Sequence, residues 1–128
     1  MAKKSNRSRL VKKLDAAFSQ YIRHRDSVDG ICTCCTCGTR KPIKEMQCGH
    51  FISRSKYATR WDEDNCAAQC VGCNMFKQGE QYKFSIYIDQ KHYAGKADEI
   101  LQRSYGTQKF TEYELEEMIT HYKNKING

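Results

Sequence analysis

Two cysteine pairs, Cys34-x-x-Cys37 and Cys70-x-x-Cys73, bracket Gly49-His50 and Asn65, and Asn74 directly follows the second pair. Thiolates two residues apart both reach one ion, so two such knuckles a few tens of residues apart can close a tetrahedral zinc site. The stretch they pin carries a histidine and amides. Imidazole can take a proton from water near neutral pH, and an amide oxygen can ligate a second, harder cation such as Mg²⁺ or Mn²⁺. Those are the groups that metal-dependent phosphodiester hydrolysis requires.

The chain has eight cysteines, which could instead form disulfides. The N-terminus is basic but no apolar run follows it, so the sequence reads as cytoplasmic and without a membrane span. Thiols stay reduced there, and paired Cys-x-x-Cys spacing then favours zinc. Cys32-x-x-Cys35 overlaps the first pair and is the competing choice. Cys34 and Cys37 are preferred because Gly38 permits the tight turn of a zinc knuckle, whereas Thr36 after Cys35 does not. Cys32, Cys35, Cys48 and Cys66 are left as small packed thiols.

At 128 residues the chain is most simply one domain, 1–128, in which a structural metal would supplement a modest core. The net charge is +7, and residues 1–25 account for the whole excess, since eight Lys and Arg there face Asp15 alone. A polyanion such as DNA is the natural partner. Arg54, Lys56, Arg60 and Lys77 flank the proposed centre and are candidate phosphate contacts.

These groups need elements to hold them. Leu10, Leu14, Phe18, Tyr21 and Ile22 recur at helical spacing, so residues 8 to about 26 read as an amphipathic helix, with residues 1–8 a flexible basic tail and Asp29-Gly30 its terminator. From Ile31 to Lys77 no helical period is present. Residues 46–52 and 66–69 read as short strands. The segment 82–90 fits strand and helix equally, 97–103 reads as helix, and Thr111-x-x-Glu114 is a capping box opening a last helix with Leu115, Met118, Ile119, Tyr122 and Ile126 on one face.

The run Cys34-Cys-Thr-Cys37-Gly38, Gly49-His50-Phe51, Thr59-Arg60-Trp61, Asn65 and Gln69-Cys70-Val-Gly-Cys73-Asn74-x-x-Lys77-x-Gly79 resembles the lambdoid-phage recombination endonucleases called NinG or Rap. The likeness continues through Tyr82, Gly95, Ala97-Asp98-Glu99-Ile100, Phe110-Thr111, Leu115 and Tyr122. The family's longer basic N-terminal region, with its own cysteine pair, has no counterpart in these residues. The resemblance implies an α+β fold with a small HNH-type, or ββα-metal, core, a four-cysteine zinc site and flanking N- and C-terminal helices. It favours a helix after Tyr82. It also implies phage or prophage origin and cleavage of branched recombination intermediates, Holliday junctions and D-loops, in a bacterial cytoplasm.

Carried over by position, His50 is the general base and Asn74 stands at the third HNH residue, as first choice of ligand to the catalytic divalent ion. Asn65 stands at the middle residue, either orienting the loop that bears His50 or reaching the metal. HNH nucleases commonly have Asp or His before the base histidine; here Gly49 supplies no side chain. Asp62, Glu63, Asp64 or Gln47 are the alternative oxygen donors. Two further readings stay open, a zinc-built nucleic-acid-binding module without catalysis and a sequence-preferring restriction or nicking enzyme. Symmetric cutting of a branched substrate suggests a homodimer, for which the terminal helices are candidate surfaces unless they pack on each other.

Overall fold

The computed structural model describes residues 5–127. Helix α1 runs Asn6–Arg25, and its N-cap Ser5 accepts a hydrogen bond from the Ser8 N–H. Of the tail expected over 1–8, positions 1–4 lie outside the described residues, and from Ser5 the chain is capped and helical. Leu10, Leu14, Phe18 and Ile22 bury on one face of α1, each contributing about 1.5–3 kcal/mol on removal from water. Their partner is the last helix, α5 (Glu112–Asn127), through Leu115, Ile119 and Tyr122. The two apolar stripes meet within one chain, so they are not free dimer surfaces.

Asp29-Gly30 does not terminate α1, which ends at Arg25. These two residues, at φ 53° and 78°, form the two-residue turn between β1 (Ser27–Val28) and β2 (Ile31–Thr33), which pair with Val28 opposite Ile31. Such turns match the twist of the strands they join. Strand β3 (Arg40–Pro42) completes a small antiparallel sheet that the sequence did not announce. A second sheet pairs β4 (Met46–His50) with β5 (Cys66–Cys70), register Met46 to Cys70 through His50 to Cys66. Between them lies a short helix, α2 (Tyr57–Arg60).

Strand β5 is buried along its whole length, because three apolar clusters meet on it. Cys66 joins the α1–α5 core, Ala68 and Cys70 join a cysteine-rich cluster with Met46, and Ala67 joins a third cluster. That third cluster comes from α3 (Gln81–Lys91) and α4 (Lys96–Ser104), through Phe84, Ile88, Ala97 and Ile100. The ambiguous segment after Tyr82 is thus helical: Phe84 and Ile88, four apart, bury together. Between β5 and α3 a single π-helical turn spans Gly72–Phe76. At the head of α5 the capping box closes in both directions, Glu114 N–H to Thr111 Oγ1 at 3.1 Å and Thr111 N–H to Glu114 Oε1 at 2.9 Å.

Asp26, directly after α1, ties the helix to the second sheet. Its carboxylate takes Arg25 Nε at 2.8 Å and the Ala68 N–H at 2.8 Å, while Arg25 also donates to the Cys66 carbonyl at 2.8 Å. Burial would raise the Asp26 carboxyl, but the Arg25 guanidinium, the Ala68 N–H and Lys91 hold it below the usual carboxylate value.

Candidate functional site

The four cysteines of the two knuckles converge. Cys34 lies just beyond β2, Cys37 in the turn that follows, Cys70 at the end of β5 and Cys73 in the π-helical turn, and their four sulfurs lie within 4.8 Å of one another. Cys37 and Cys70 sulfurs are 3.7 Å apart. The first knuckle closes by Cys34 N–H to the Thr39 carbonyl at 2.7 Å and Gly38 N–H to the Cys34 carbonyl at 3.0 Å. Gly38 sits at φ 79°, the left-handed conformation glycine adopts without strain. Burial alone would raise the Cys34 thiol, yet N–H groups of Cys70, Thr36 and Cys37 and the Thr36 hydroxyl outweigh it and hold it at about 6. A set of close thiols with amide donors aimed at sulfur could hold a metal ion. Cys32 and Cys35 stand outside this set. Cys32 is fully buried and its thiol donates to the Arg23 carbonyl at 3.2 Å, and burial pushes the Cys35 thiol strongly upward.

An open cleft of about 550 Å³ is lined by Asp15, Phe18, Gln47, Cys48, His50, Arg54, Asn74, Met75 and neighbouring residues. His50 ends β4, and its Nε2 lies 2.9 Å from the Arg60 carbonyl. A carbonyl only accepts, so this nitrogen carries the proton and Nδ1 is left as the basic one. Burial lowers the His50 pKa below its ordinary 6.5, the Arg60 carbonyl opposing this only in part. The imidazole is therefore neutral near pH 7.

Asn74 lines the same cleft from the π-helical turn. Its Nδ2 donates to Gln47 Oε1 at 2.6 Å, which fixes the amide so that Oδ1 is the atom left over for a ligand. Gln47 also donates to Met75 Sδ at 3.5 Å. Asn65 occupies a different place. It is fully buried; Oδ1 accepts the Ile52 N–H at 2.8 Å, and Nδ2 donates to the Ile52 and Thr59 carbonyls at 3.0 Å each. Each polar atom of the amide is used in pinning the loop between β4 and α2. Asn65 does not line the cleft.

Of the four basic residues, Arg54, Lys56 and Lys77 are exposed and Arg54 lines the cleft. Arg60 is not a free cation. It forms a two-pronged pair with Asp15 at 3.1 and 2.6 Å and donates to the Arg54 carbonyl at 2.9 Å. The acidic run is equally committed elsewhere. Asp62 pairs with Arg103, Glu63 accepts from the hydroxyls of Tyr21 and Tyr122, and Asp64 pairs with Lys96 at 3.1 Å. None of the three lines the cleft; Gln47 is the alternative donor that does.

Three features were not foreseen. Asp15, the carboxylate lining the cleft, holds Arg60, Trp61 Nε1 at 3.0 Å and, more loosely, Arg54; its partners lie some 40 residues on, beyond any local pattern. Met75 and Phe76, which follow Asn74, are 61% and 81% exposed, large apolar side chains offered to solvent, and Met75 lines the cleft. Finally, Cys48, His50 and Cys66 present three ligand atoms within 4.8 Å of one another. Among the described residues no helix is long and apolar enough to cross a membrane.

A family model described as the bacteriophage lambda NinG protein matches residues 1–128. The chain is similar to the protein ninG of Salmonella phage P22, 26% identical over 121 residues that make up 94% of this chain and 57% of that relative. Its similarity to the protein ninG of Escherichia phage lambda has the same identity and extent, and that of Escherichia phage 933W is matched over 58% of its length. The chain thus spans a little over half the length of these relatives. No solved structure matches.

Proposed function

Since the chain belongs to the bacteriophage lambda NinG family, we propose that it is a metal-dependent DNA endonuclease of the HNH type, acting on branched recombination intermediates in the cytoplasm of a bacterial host. The observation that carries this reading is His50. Its Nε2–H is spent on the Arg60 carbonyl and its pKa is kept low, in a cleft that also holds Asn74.

The arrangement supports a division of labour. The Cys34, Cys37, Cys70 and Cys73 set suits zinc, which prefers four thiolates in a tetrahedron and carries no redox chemistry. Such an ion would fix β5 and the π-helical turn. That in turn places Asn74 opposite β4, completing a ββα-like unit with the helical turn in the position of the α element. His50 Nδ1 accepts the proton of a water attacking the scissile phosphate. Asn65, by pinning Ile52 and Thr59, keeps the loop that follows His50 in register. A divalent cation such as Mg²⁺ or Mn²⁺, held by Asn74 Oδ1 and the DNA phosphate, would supply charge neutralisation at the phosphate and the departing oxygen. The amide oxygen fits such a hard cation. Arg54, Lys56 and Lys77 contact the backbone around the cleft, and the exposed Met75 and Phe76 fit unstacked bases at a branch point. Two chains acting together would place the paired nicks across a junction.

A second reading, a zinc-built DNA-binding module without catalysis, is favoured by one observation. Gly49 offers no ligand side chain, and Asp15, the one cleft carboxylate among the described residues, is held by Arg60. The two separate on cleavage of a labelled four-way junction beside a linear duplex of matching sequence, with Mg²⁺ or Mn²⁺. Junction cutting lost in His50→Ala supports the nuclease. Absence of cutting by zinc-loaded protein across both metals sinks it and leaves the binding module.

A further inference from the structure

From the face of the second sheet that packs on α1, we infer that Cys48, His50 and Cys66 form a second metal site, selective for a thiophilic divalent cation and separate from the four-cysteine set. The register builds it. His50 stands directly opposite Cys66 across the β4–β5 pair, and Cys48, two residues back along β4, projects from the same face. The three ligand atoms lie within 4.8 Å of one another. Zinc with bonds of about 2.3 Å to sulfur and 2.0 Å to nitrogen needs its ligands about 3.5–3.8 Å apart, so small side-chain rotations bring the set onto one ion.

The surroundings suit a ligand triad. One ring nitrogen of His50 is fixed by a backbone carbonyl, the Arg60 oxygen, which is how metal-binding histidines are commonly oriented. Cys66 is buried against the α1–α5 core, while Cys48 and His50 line the cleft, leaving a fourth position on the solvent side for water. Two sulfurs and one nitrogen select Zn²⁺, Co²⁺ or Cd²⁺ over Mg²⁺. Binding releases one proton from each thiol, so the doubly charged cation meets two thiolates and the buried site stays neutral. Its consequence for cleavage, which alone rests on the function proposed above, is that His50 cannot both ligate this ion and accept a proton from water. Excess thiophilic metal then switches the cleft off.

The test uses the full chain, zinc-loaded and kept reduced, titrated with Co²⁺ and followed by its visible and thiolate charge-transfer bands, with bound metal counted after gel filtration. We expect a second equivalent beyond the structural one, lost in Cys48→Ser and in Cys66→Ala. Circular dichroism checks that each variant is folded; if Cys66→Ala is not, the half-buried Cys48→Ser decides. A single equivalent in the wild type, or a second equivalent retained in Cys48→Ser, overturns the site. In the same preparations the ratio of junction cleavage with and without excess Zn²⁺ should fall at least tenfold in the wild type and stay near one in Cys48→Ser. Zinc-insensitive cleavage by a wild type that does bind the second equivalent overturns the switch. Cobalt binding at the second site by a protein that cuts no junction even without excess thiophilic metal refutes the nuclease and leaves the site standing.

Discussion

The side chain of Gln69 occupies the space that any side chain on Gly49 would need. A Cβ built on Gly49 would come within 2.9 Å of Gln69 Cβ and closer still to Gln69 Oε1. Gln69 cannot easily yield. Its Nε2 donates to the Gly79 carbonyl at 2.8 Å and to Thr36 Oγ1 at 3.0 Å, so it joins β5 to both the first knuckle and the turn before α3. Its Oε1 is buried and has no hydrogen-bond partner among the described residues. Gly49 is therefore required by packing, and an Asp or His at this position is excluded sterically.

Gly49→Asp, which would restore the common HNH pattern, is accordingly expected to destabilise the fold by about 2 kcal/mol or more, through overpacking and a buried carboxylate. The double variant Gly49→Asp/Gln69→Ala should recover part of that loss. Thermal unfolding of the three proteins checks both statements; a Gly49→Asp midpoint equal to wild type would show that Gln69 moves aside freely.

His50 makes a prediction in pH. Its folded pKa is depressed by burial, so the neutral, proton-accepting form persists at pH values where an exposed histidine is half charged. Cleavage rate should therefore hold through pH 6.5 and fall only below it. Stability follows the same sign: between the ordinary value of 6.5 and the lower folded value the unfolded chain binds the extra proton, so stability is lost as pH falls through that window. His50→Gln should lower the cleavage rate by about 10²–10⁴-fold, the usual worth of a general base, and flatten the acid limb.

Asn65→Ala removes the partner of three buried backbone groups, Ile52 N–H, Ile52 C=O and Thr59 C=O. At about 1–3 kcal/mol for each orphaned group, partly relieved by water, a loss of about 2–5 kcal/mol is expected. Asn65→Asp should do little better, since a carboxylate accepts the Ile52 N–H but faces the two carbonyls without a proton. Chemical denaturation measures the loss, and amide exchange at Ile52 should quicken in both variants.

How far the sequence disclosed this centre depended on range. The knuckles were legible because two ligands three positions apart constrain each other locally, and the Thr111–Glu114 box was legible for the same reason. Strands β1 to β3 were not, since two- and three-residue strands carry no alternation, and Asp29-Gly30 serves equally as a helix stop or a hairpin turn. The sequence singled out His50 by its neighbours, but its carbonyl partner on Arg60 lay beyond any local pattern. Arg60 looked like a phosphate contact because a basic residue near a site is usually solvated, and only α1, 45 residues earlier, supplies the Asp15 that claims it.

If an ion occupies the four-cysteine set, its removal should be felt where β5 passes into the π-helical turn. Burial holds the Cys73 thiol at about 12 while amide donors hold Cys34 at about 6, so a metal-free centre keeps a protonated sulfur beside one that ionises near neutral pH. Chelation, or Cys70→Ser, should lower the unfolding midpoint by more than about 10 °C if the ion contributes even a few of the roughly 10–16 kcal/mol that structural zinc can supply. Because α1 and α5 pack on each other without the cysteines of the two knuckles, helical circular dichroism should survive in part while amide protection of β5 is lost. Full protection of β5 after complete metal removal would show that the thiol cluster is self-supporting.

The basic residues divide by partner. Arg54, Lys56 and Lys77 have exposed head groups, so Ala at each should weaken DNA binding at every sequence and reduce the slope of log affinity against log salt by about 0.9 for each phosphate left unneutralised. Arg60→Ala should behave differently. It strips Asp15 of its bidentate partner and unmoors the segment whose carbonyl holds His50, so the expected effect is a stability loss of about 2 kcal/mol or more, with the salt slope unchanged. Arg60→Lys should rescue little, because one ammonium cannot span both Asp15 oxygens and the Arg54 carbonyl as the guanidinium does. A salt slope that drops in Arg60→Ala at unaltered stability would instead place this guanidinium on the DNA.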